Sequence, residues 1–299
     1  MSDTRPIVLF GSPGHAGLQI LYQNLVARGL PTLFLIQEGF AGRTRMYLDQ
    51  DPNRSTLILP EEEALDLKEI RSFCLDGFYV PAGYHLDGLS ESDVGYVQTE
   101  TWSMLIYLFQ QIHQVSLLVN FIENRDVFSN RWGTLRYLAQ CGLPVPRNLI
   151  TSDPDSLRAF RESVGQIMVK SVGDHSVDFS VVDAAYDDRL ENLLLAPAQF
   201  EEVPTGQGYF CGFVDGQSVV IPTADSDLTG QEPPPAELLE KCWQAALKLK
   251  LHVAETTVRK TSDGRWLVTG MRPFLSLGML SNPRAMDLMV KLLERGRRN

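Results

Sequence analysis

The first 36 residues carry the pattern that most restricts the fold. A short apolar run at 7–10 is followed by a turn with three glycines, a helical pattern over 18–28 and a second apolar run over 31–36. Strand, tight turn, helix and strand in this order predict a βαβ unit, whose strands lie parallel in one sheet. The turn has the spacing Gly-x-x-Gly-x-x-Gly, which is neither the dinucleotide fingerprint nor the P-loop. We therefore interpret it as a strand-to-helix connection rather than a phosphate site.

Composition narrows the class of protein. A chain of 299 residues with 44% hydrophobic and 21% charged residues is long enough for two or three packed subdomains. The formal net charge of −10 argues against general nucleic-acid binding, because neutralising phosphates needs clustered Lys and Arg. The most apolar helical segment, 102–118, is interrupted by glutamines and a histidine and is too polar to span a bilayer. We expect no membrane contact and, since no signal-peptide pattern precedes the first strand, a cytoplasmic location.

The cysteines suggest neither a metal site nor a disulfide framework. Cys74, Cys141, Cys211 and Cys242 lie far apart, and none belongs to a Cys-x-x-Cys pair. Cys211 follows two aromatic residues in a strand-like segment without a neighbouring base. We expect it to be a small buried hydrophobic residue rather than a nucleophile.

The predicted fold class is α/β with α+β subdomains. Changes in the sequence pattern along the chain predict three units. They are a βαβ domain at 1–122, a central subdomain at 123–200 and a C-terminal subdomain at 201–299. The central unit contains strand patterns at 148–151 and 166–170. In the C-terminal unit, a helix is predicted over 236–249 and a hairpin turn around Asp263-Gly264.

The order of several short motifs resembles that of ATP-grasp enzymes. The motifs are Asn130-Arg131-Trp132, Leu143-Pro144-Val145-Pro146, the strand that ends in Lys170, the segment Phe200-Glu201-Glu202-Val203 and the hairpin from Asp263 to Pro273. The resemblance covers nearly the whole chain and is closest to the branch that makes microviridin-type graspetides, joining side-chain carboxylates to hydroxyls or amines. It implies an ATP-grasp-like fold with an N-terminal parallel-sheet (pre-ATP-grasp) domain and a nucleotide between two α+β subdomains.

The resemblance also implies a nucleotide pocket. Lys170 would reach phosphate oxygens as a movable charge, and Arg131 replaces an earlier lysine that touches the phosphates. The segment that contains Glu202 and Val203 would face adenine and ribose, and Glu202 matches the carboxylate position better than Glu201. A surface lysine at the end of a strand and a solvated acidic pair are the alternative explanations of these residues.

The metal-binding residues of the resembling enzymes are missing. Their hairpin carries a Glu-x-Asn-Pro sequence, whereas alignment on the Asp-Gly turn and Pro273 places Gly270 at the Glu and Arg272 at the Asn. Magnesium requires hard oxygen ligands, carboxylates among them. At about 4 Å and an effective dielectric of about 20, a guanidinium repels a dication by about 8 kcal/mol before any relaxation.

Two neighbouring strands add to this loss. The partner Asp of the metal site falls near Thr257, and only Glu255, two residues earlier and on the same strand face, could replace it. The stretch 208–216 contains no basic residue where graspetide ligases carry an arginine. We therefore predict no metal ligand and no catalytic residue.

These substitutions favour a catalytically degenerate ATP-grasp-like protein that needs no cofactor. It would bind a ribosomal precursor peptide or scaffold other maturation proteins, and a homodimer through the last amphipathic helix, 284–294, is possible besides packing within the chain. In a second interpretation Arg272 neutralises phosphate, which gives nucleotide binding without turnover. A third is an active carboxylate–amine or carboxylate–hydroxyl ligase that uses ATP and Mg²⁺, with Glu255 on the metal and Lys170 and Arg131 on phosphate. An amino-acid ligase also remains open.

Overall fold

The first part of the chain forms the expected parallel sheet. The computed structural model describes residues 4–37, 40–75, 88–120, 125–128, 130–171, 180–183, 186, 190–223 and 232–297. The first elements are β1 (Ile7–Gly11), α1 (Ala16–Ala27), β2 (Thr32–Ile36), α2 (Phe40–Arg43), β3 (Arg45–Tyr47), β4 (Thr56–Ile58), β5 (Ala64–Asp66), β6 (Ser72–Leu75), α3 (Glu91–Val115) and β7 (Leu117–Val119). The main sheet has the order β2-β1-β6-β7 with parallel pairs, and β3-β4-β5 form a small antiparallel sheet.

The βαβ prediction is therefore confirmed, and the local chemistry explains its turn. His15 caps α1, because its Nδ1 accepts a hydrogen bond from the Leu18 amide at 3.4 Å. Gly29 follows the helix with φ of +70°, a left-handed conformation that costs glycine little. The turn after β1 thus serves to begin a helix.

The central part builds a second, separate sheet. Its elements are α4 (Arg131–Gln140), β8 (Asn148–Thr151), α5 (Pro154–Val164), β9 (Ile167–Ser171), β10 (Ser180–Val181) and β11 (Ala198–Glu202). The antiparallel order is β10-β9-β11-β8. One face of this sheet packs on α5 around Leu157, Ile167 and Phe200, which are buried. Short 3-10 helices lie at Pro52–Arg54, Leu67–Glu69, Arg125–Phe128 and Leu190–Leu194.

The C-terminal part contributes the third sheet. Its elements are β12 (Gln207–Val214), β13 (Gln217–Pro222), α6 (Ala236–Lys248), β14 (Val253–Lys260), β15 (Trp266–Arg272), α7 (Leu277–Leu280) and α8 (Pro283–Arg295). The antiparallel order is β13-β12-β14-β15. Helix α4 joins the core of this sheet, because Leu138 and the following Leu143 are buried with residues of β12, β14, β15 and α6.

Helix α8 packs within the chain, as the amphipathic pattern predicts. Its apolar face is buried in one cluster with α1 and β1, so the helix joins the C-terminal part to the first sheet. No helix in the described ranges is long and apolar enough to cross a membrane. Of the expected domain limits, 122/123 lies outside the described residues and 200/201 falls inside β11, so the three bounds stay predictions.

Candidate functional site

The positions that correspond to the metal ligands of the resembling enzymes lie on one face of the C-terminal sheet. Glu255 on β14 is directly opposite Arg272 on β15, and Thr257 is opposite Gly270. Directly opposed residues of antiparallel strands, and those two apart on one strand, share a face. A register shift after Thr257 separates these pairs from the rest of the hairpin. The structure therefore brings these four positions together on one face.

Glu255 is fully engaged by protein donors. One carboxylate oxygen accepts from Nε of Arg272 at 2.9 Å and also from its Nη2. The other oxygen accepts from the backbone amide and the hydroxyl of Ser276, both at 2.8 Å. The Glu255 side chain is 0% exposed, whereas that of Arg272 is 39% exposed. Ser276 in turn caps α7, so the carboxylate fixes the start of that helix.

This donor set does not fit Mg²⁺. Gly270 has no side chain, Arg272 carries the wrong charge, and each Glu255 oxygen already accepts two hydrogen bonds. A magnesium ion would have to displace a guanidinium from a buried carboxylate before gaining one ligand. Within the described part of the chain, no group of three or more His, Cys, Asp or Glu residues could hold a metal ion.

Arg131 forms a second buried ion pair at the start of α4. Asn130 caps this helix by accepting from the Gly133 amide at 2.7 Å, which places Arg131 in the first turn. The guanidinium donates through Nε and Nη2 to both oxygens of Glu201 on β11. Burial raises the pKa of Glu201, while Arg131 and Lys170 oppose that rise. Glu201 has thus taken two donors that the resemblance assigns to phosphate.

Lys170 lies beside Glu201 on the same face of the central sheet. It is paired in register with Gln199, and Met168 with Glu201, so these side chains point away from the core under α5. Gln199 is buried, and its Nε2 has no hydrogen-bond partner in the structure as described. This face therefore combines a cation with an amide donor that lacks an acceptor.

The predicted adenine and ribose groups are engaged elsewhere. Glu202 accepts from Nη2 of Arg265 at 3.1 Å and from the Arg147 amide at 3.2 Å. The Val203 amide donates to the carbonyl of Gln166 at 3.0 Å, which extends the pairing of β11 with the β9 side. Glu202 points to the opposite face from Glu201, as neighbouring strand residues must.

Sequence reasoning missed three residues of these networks. Arg265 lies in the hairpin turn, Ser276 beyond it, and Gln199 two residues before Glu201. Strand alternation alone would have placed Gln199 and Glu201 on one face. No local pattern marks the partners of Arg265 and Ser276, because both contacts are long-range.

The cysteine interpretation is confirmed in β12. Cys211 is fully buried in the C-terminal core, and burial raises the pKa of its thiol well above the ordinary value. Burial also raises the pKa of Cys242 on α6 to about 12. Thiols that stay protonated at neutral pH are poor nucleophiles.

Solved structures share this fold over nearly the whole chain. The ATP-grasp ligase PsnB, complexed with a minimal precursor, is 20% identical with a TM-score of 0.77, over 97% of this chain and 98% of that one. The macrocyclase MdnC from Microcystis aeruginosa MRC, bound with precursor peptide MdnA, is 18% identical with a TM-score of 0.74, over 96% and 98%. A RiPP-associated ATP-grasp ligase from Chryseobacterium gregarium, in complex with ADP and a leader and core peptide, is 13% identical with a TM-score of 0.76, over 98% and 96%.

The sequence itself gives no such match. No family model matches it, and neither does any curated protein. The similarity is therefore one of architecture, with 13–20% identical residues. On this evidence the chain has an ATP-grasp fold close to that of graspetide ligases.

Proposed function

We propose that this protein binds or scaffolds a ribosomally made precursor peptide during its maturation and does not itself form bonds with ATP. The observation that carries the proposal is the saturated carboxylate of Glu255, held by Arg272 and Ser276 where a metal would be needed. Transfer of a phosphoryl group needs its charge neutralised by metal and cationic side chains. Here Arg131 is bound to Glu201 and Arg272 to Glu255.

Converting the ion pair into a metal site would cost more free energy than the lack of one ligand alone. Removing one partner from a buried ion pair costs about 3–5 kcal/mol, because the other charge stays buried without compensation. A magnesium ion at Glu255 would repel a displaced Arg272 nearby and would find no second carboxylate on Gly270 or Thr257. The site is therefore stable as an ion pair and unfavourable as a metal centre.

A peptide is the partner best supported by the architecture. PsnB and MdnC were each solved with a precursor, and this chain covers both structures almost completely. Peptide binding depends on packing and backbone pairing, neither of which requires a metal. The same scaffold can thus keep a peptide-binding surface after the chemistry is lost.

The test is a reaction of the protein with ATP, Mg²⁺ and any short precursor peptide whose gene lies beside its own. We expect the peptide to bind and its mass to remain unchanged, with no release of phosphate above a protein-free control. Loss of water from the peptide would mean that the protein is an active ligase with a rearranged metal site. Absence of binding to the intact peptide would remove the scaffolding proposal.

A second candidate is nucleotide binding without turnover. It is favoured by Lys170 and the buried Gln199 amide, which together offer donors to a phosphate. In this case ATP would raise the melting temperature by the same amount with Mg²⁺ and with EDTA, because binding would not use the metal. A ligand at about 100 times its dissociation constant stabilises a protein by about 2.7 kcal/mol. PsnB was solved with Mg and ADP, so a shift that requires Mg²⁺ would support ordinary ligase chemistry instead.

A further inference from the structure

Two successive glutamates of β11 are held from opposite sides of the central sheet. Glu201 binds Arg131 and Glu202 binds Arg265. Because neighbouring strand residues point to opposite faces, the two arginines approach the same strand from its two sides. Strand β11 is thus held by one ion pair on each face of the central sheet.

Both arginines belong to the C-terminal body rather than to the central sheet. Arg131 begins α4, whose Leu138 is buried in the C-terminal core. The segment after α4 is tied to β15, since the Val268 amide donates to the Pro144 carbonyl at 2.7 Å. Arg265 lies in the turn between β14 and β15.

The central sheet has its own core and its own strand order. In the described residues, its strands pair only with one another, and its buried cluster shares no residue with the C-terminal core. Contacts between side chains therefore matter for how the two bodies are held. The Arg131–Glu201 pair is well buried, with side chains 19% and 3% exposed, so salt screens it weakly.

We infer that these two pairs form a clamp that holds the central sheet against the C-terminal body without any nucleotide. The inference rests on the proposed function and concerns the regulation of the same site. Partner binding would then be constitutive, since the relative position of the two bodies does not depend on ATP or Mg²⁺.

Gly270 couples the clamp to the lost metal site. A Cβ atom at this position would lie 3.8 Å from Nη1 of Arg131, which is an ordinary contact. A glutamate there, as in the resembling enzymes, would bring a carboxylate against the guanidinium and compete with Glu201. Glycine at position 270 thus offers no metal ligand and no competitor for the Arg131 guanidinium, which stays bound to Glu201.

The test measures a distance between the two bodies in the full chain. Nitroxide labels are placed at Glu162→Cys on α5 and Lys248→Cys on α6, both exposed, in a Cys141→Ser background. Pulsed electron paramagnetic resonance should give one narrow distribution of distances between the two labels, and ATP with Mg²⁺ should leave it unchanged. The Arg131→Met/Arg265→Met variant should broaden it and add distances longer by several ångströms.

The matched control is Arg158→Met, which breaks an exposed pair with Asp155 on α5 and should leave the distribution unchanged. If the double variant does not fold, amide hydrogen exchange is measured instead on the unlabelled parent, with and without ATP and Mg²⁺. We expect the amides of β9 and β11 to be equally protected in both conditions. A parent distance or protection that changes with nucleotide overturns the clamp, as does a folded double variant identical to the parent. A cyclised peptide product would instead overturn the proposed function.

Discussion

Replacing Arg272 by methionine tests the ion pair between Arg272 and Glu255. The substitution keeps most of the side-chain volume but leaves Glu255 with only the two Ser276 donors. Glu255 is fully buried, so its charge stays uncompensated. Because 39% of the Arg272 side chain is exposed and partly screened, we take the lower end of the buried-pair range, about 3 kcal/mol.

The reverse substitution should cost less. In Glu255→Gln the amide oxygen keeps Ser276, and the half-exposed Arg272 can turn its guanidinium to water. We expect about 1.5 kcal/mol, the lower end of the range for a hydrogen bond to a charged group, because the freed guanidinium is solvated. The asymmetry follows from which partner is buried, not from the number of contacts removed.

Calorimetric melting at pH 7.5 measures both variants beside Arg158→Met. At about 2 °C per kcal/mol for a chain of this size, Arg272→Met should lower the melting temperature by about 6 °C and Glu255→Gln by about 3 °C. The exposed Arg158–Asp155 pair should contribute less than about 0.5 kcal/mol.

Two results would refute this reasoning. One is a Glu255→Gln cost equal to or above that of Arg272→Met, which would mean that the guanidinium is the poorly solvated partner. The other is an Arg272→Met variant as stable as the parent but newly stabilised by Mg²⁺. That outcome would show that the arginine blocks an otherwise competent metal site.

Three further measurements follow from the structure. Gly206→Ala should destabilise the protein by at least about 3 kcal/mol in urea unfolding. The added Cβ would lie 2.0 Å from the Lys260 carbonyl oxygen, on a backbone with φ of +117°. A neutral result would contradict this backbone geometry. Burial lowers the pKa of His252, so the unfolded chain binds the proton at a higher pH than the folded chain does. The melting temperature should therefore fall as pH drops below about 6.5, and it should fall less in His252→Gln. Equal pH profiles of the two proteins would contradict this prediction. A thiol reagent should label partly exposed Cys141 in the native protein and buried Cys211 only after unfolding, as located by mass spectrometry.

Local features of the fold were predictable from consecutive residues. The βαβ start, the strand at 148–151, the helix near 236–249 and the hairpin after β14 all match their patterns. Each depends on side-chain periodicity, capping and turn chemistry, which act over a few residues. That Gly270 and Arg272 replace metal ligands stays a prediction, drawn from the motif order alone.

The partners of the charged residues were not predictable in this way. Arg131 meets Glu201 across 70 positions of sequence, and Glu202 meets Arg265 across 63. The packing of α4 on the C-terminal core brings these groups together, and no local pattern encodes that packing.

The sequence by itself therefore determined the elements, the order of motifs and the absence of metal-binding side chains at two positions. The tertiary structure decided that Glu255 is saturated by Arg272 and Ser276 and that β11 is held from both faces. The physical reason is that backbone conformation responds to neighbours along the chain. The state of a buried charge depends on whichever distant groups the fold brings within hydrogen-bonding distance.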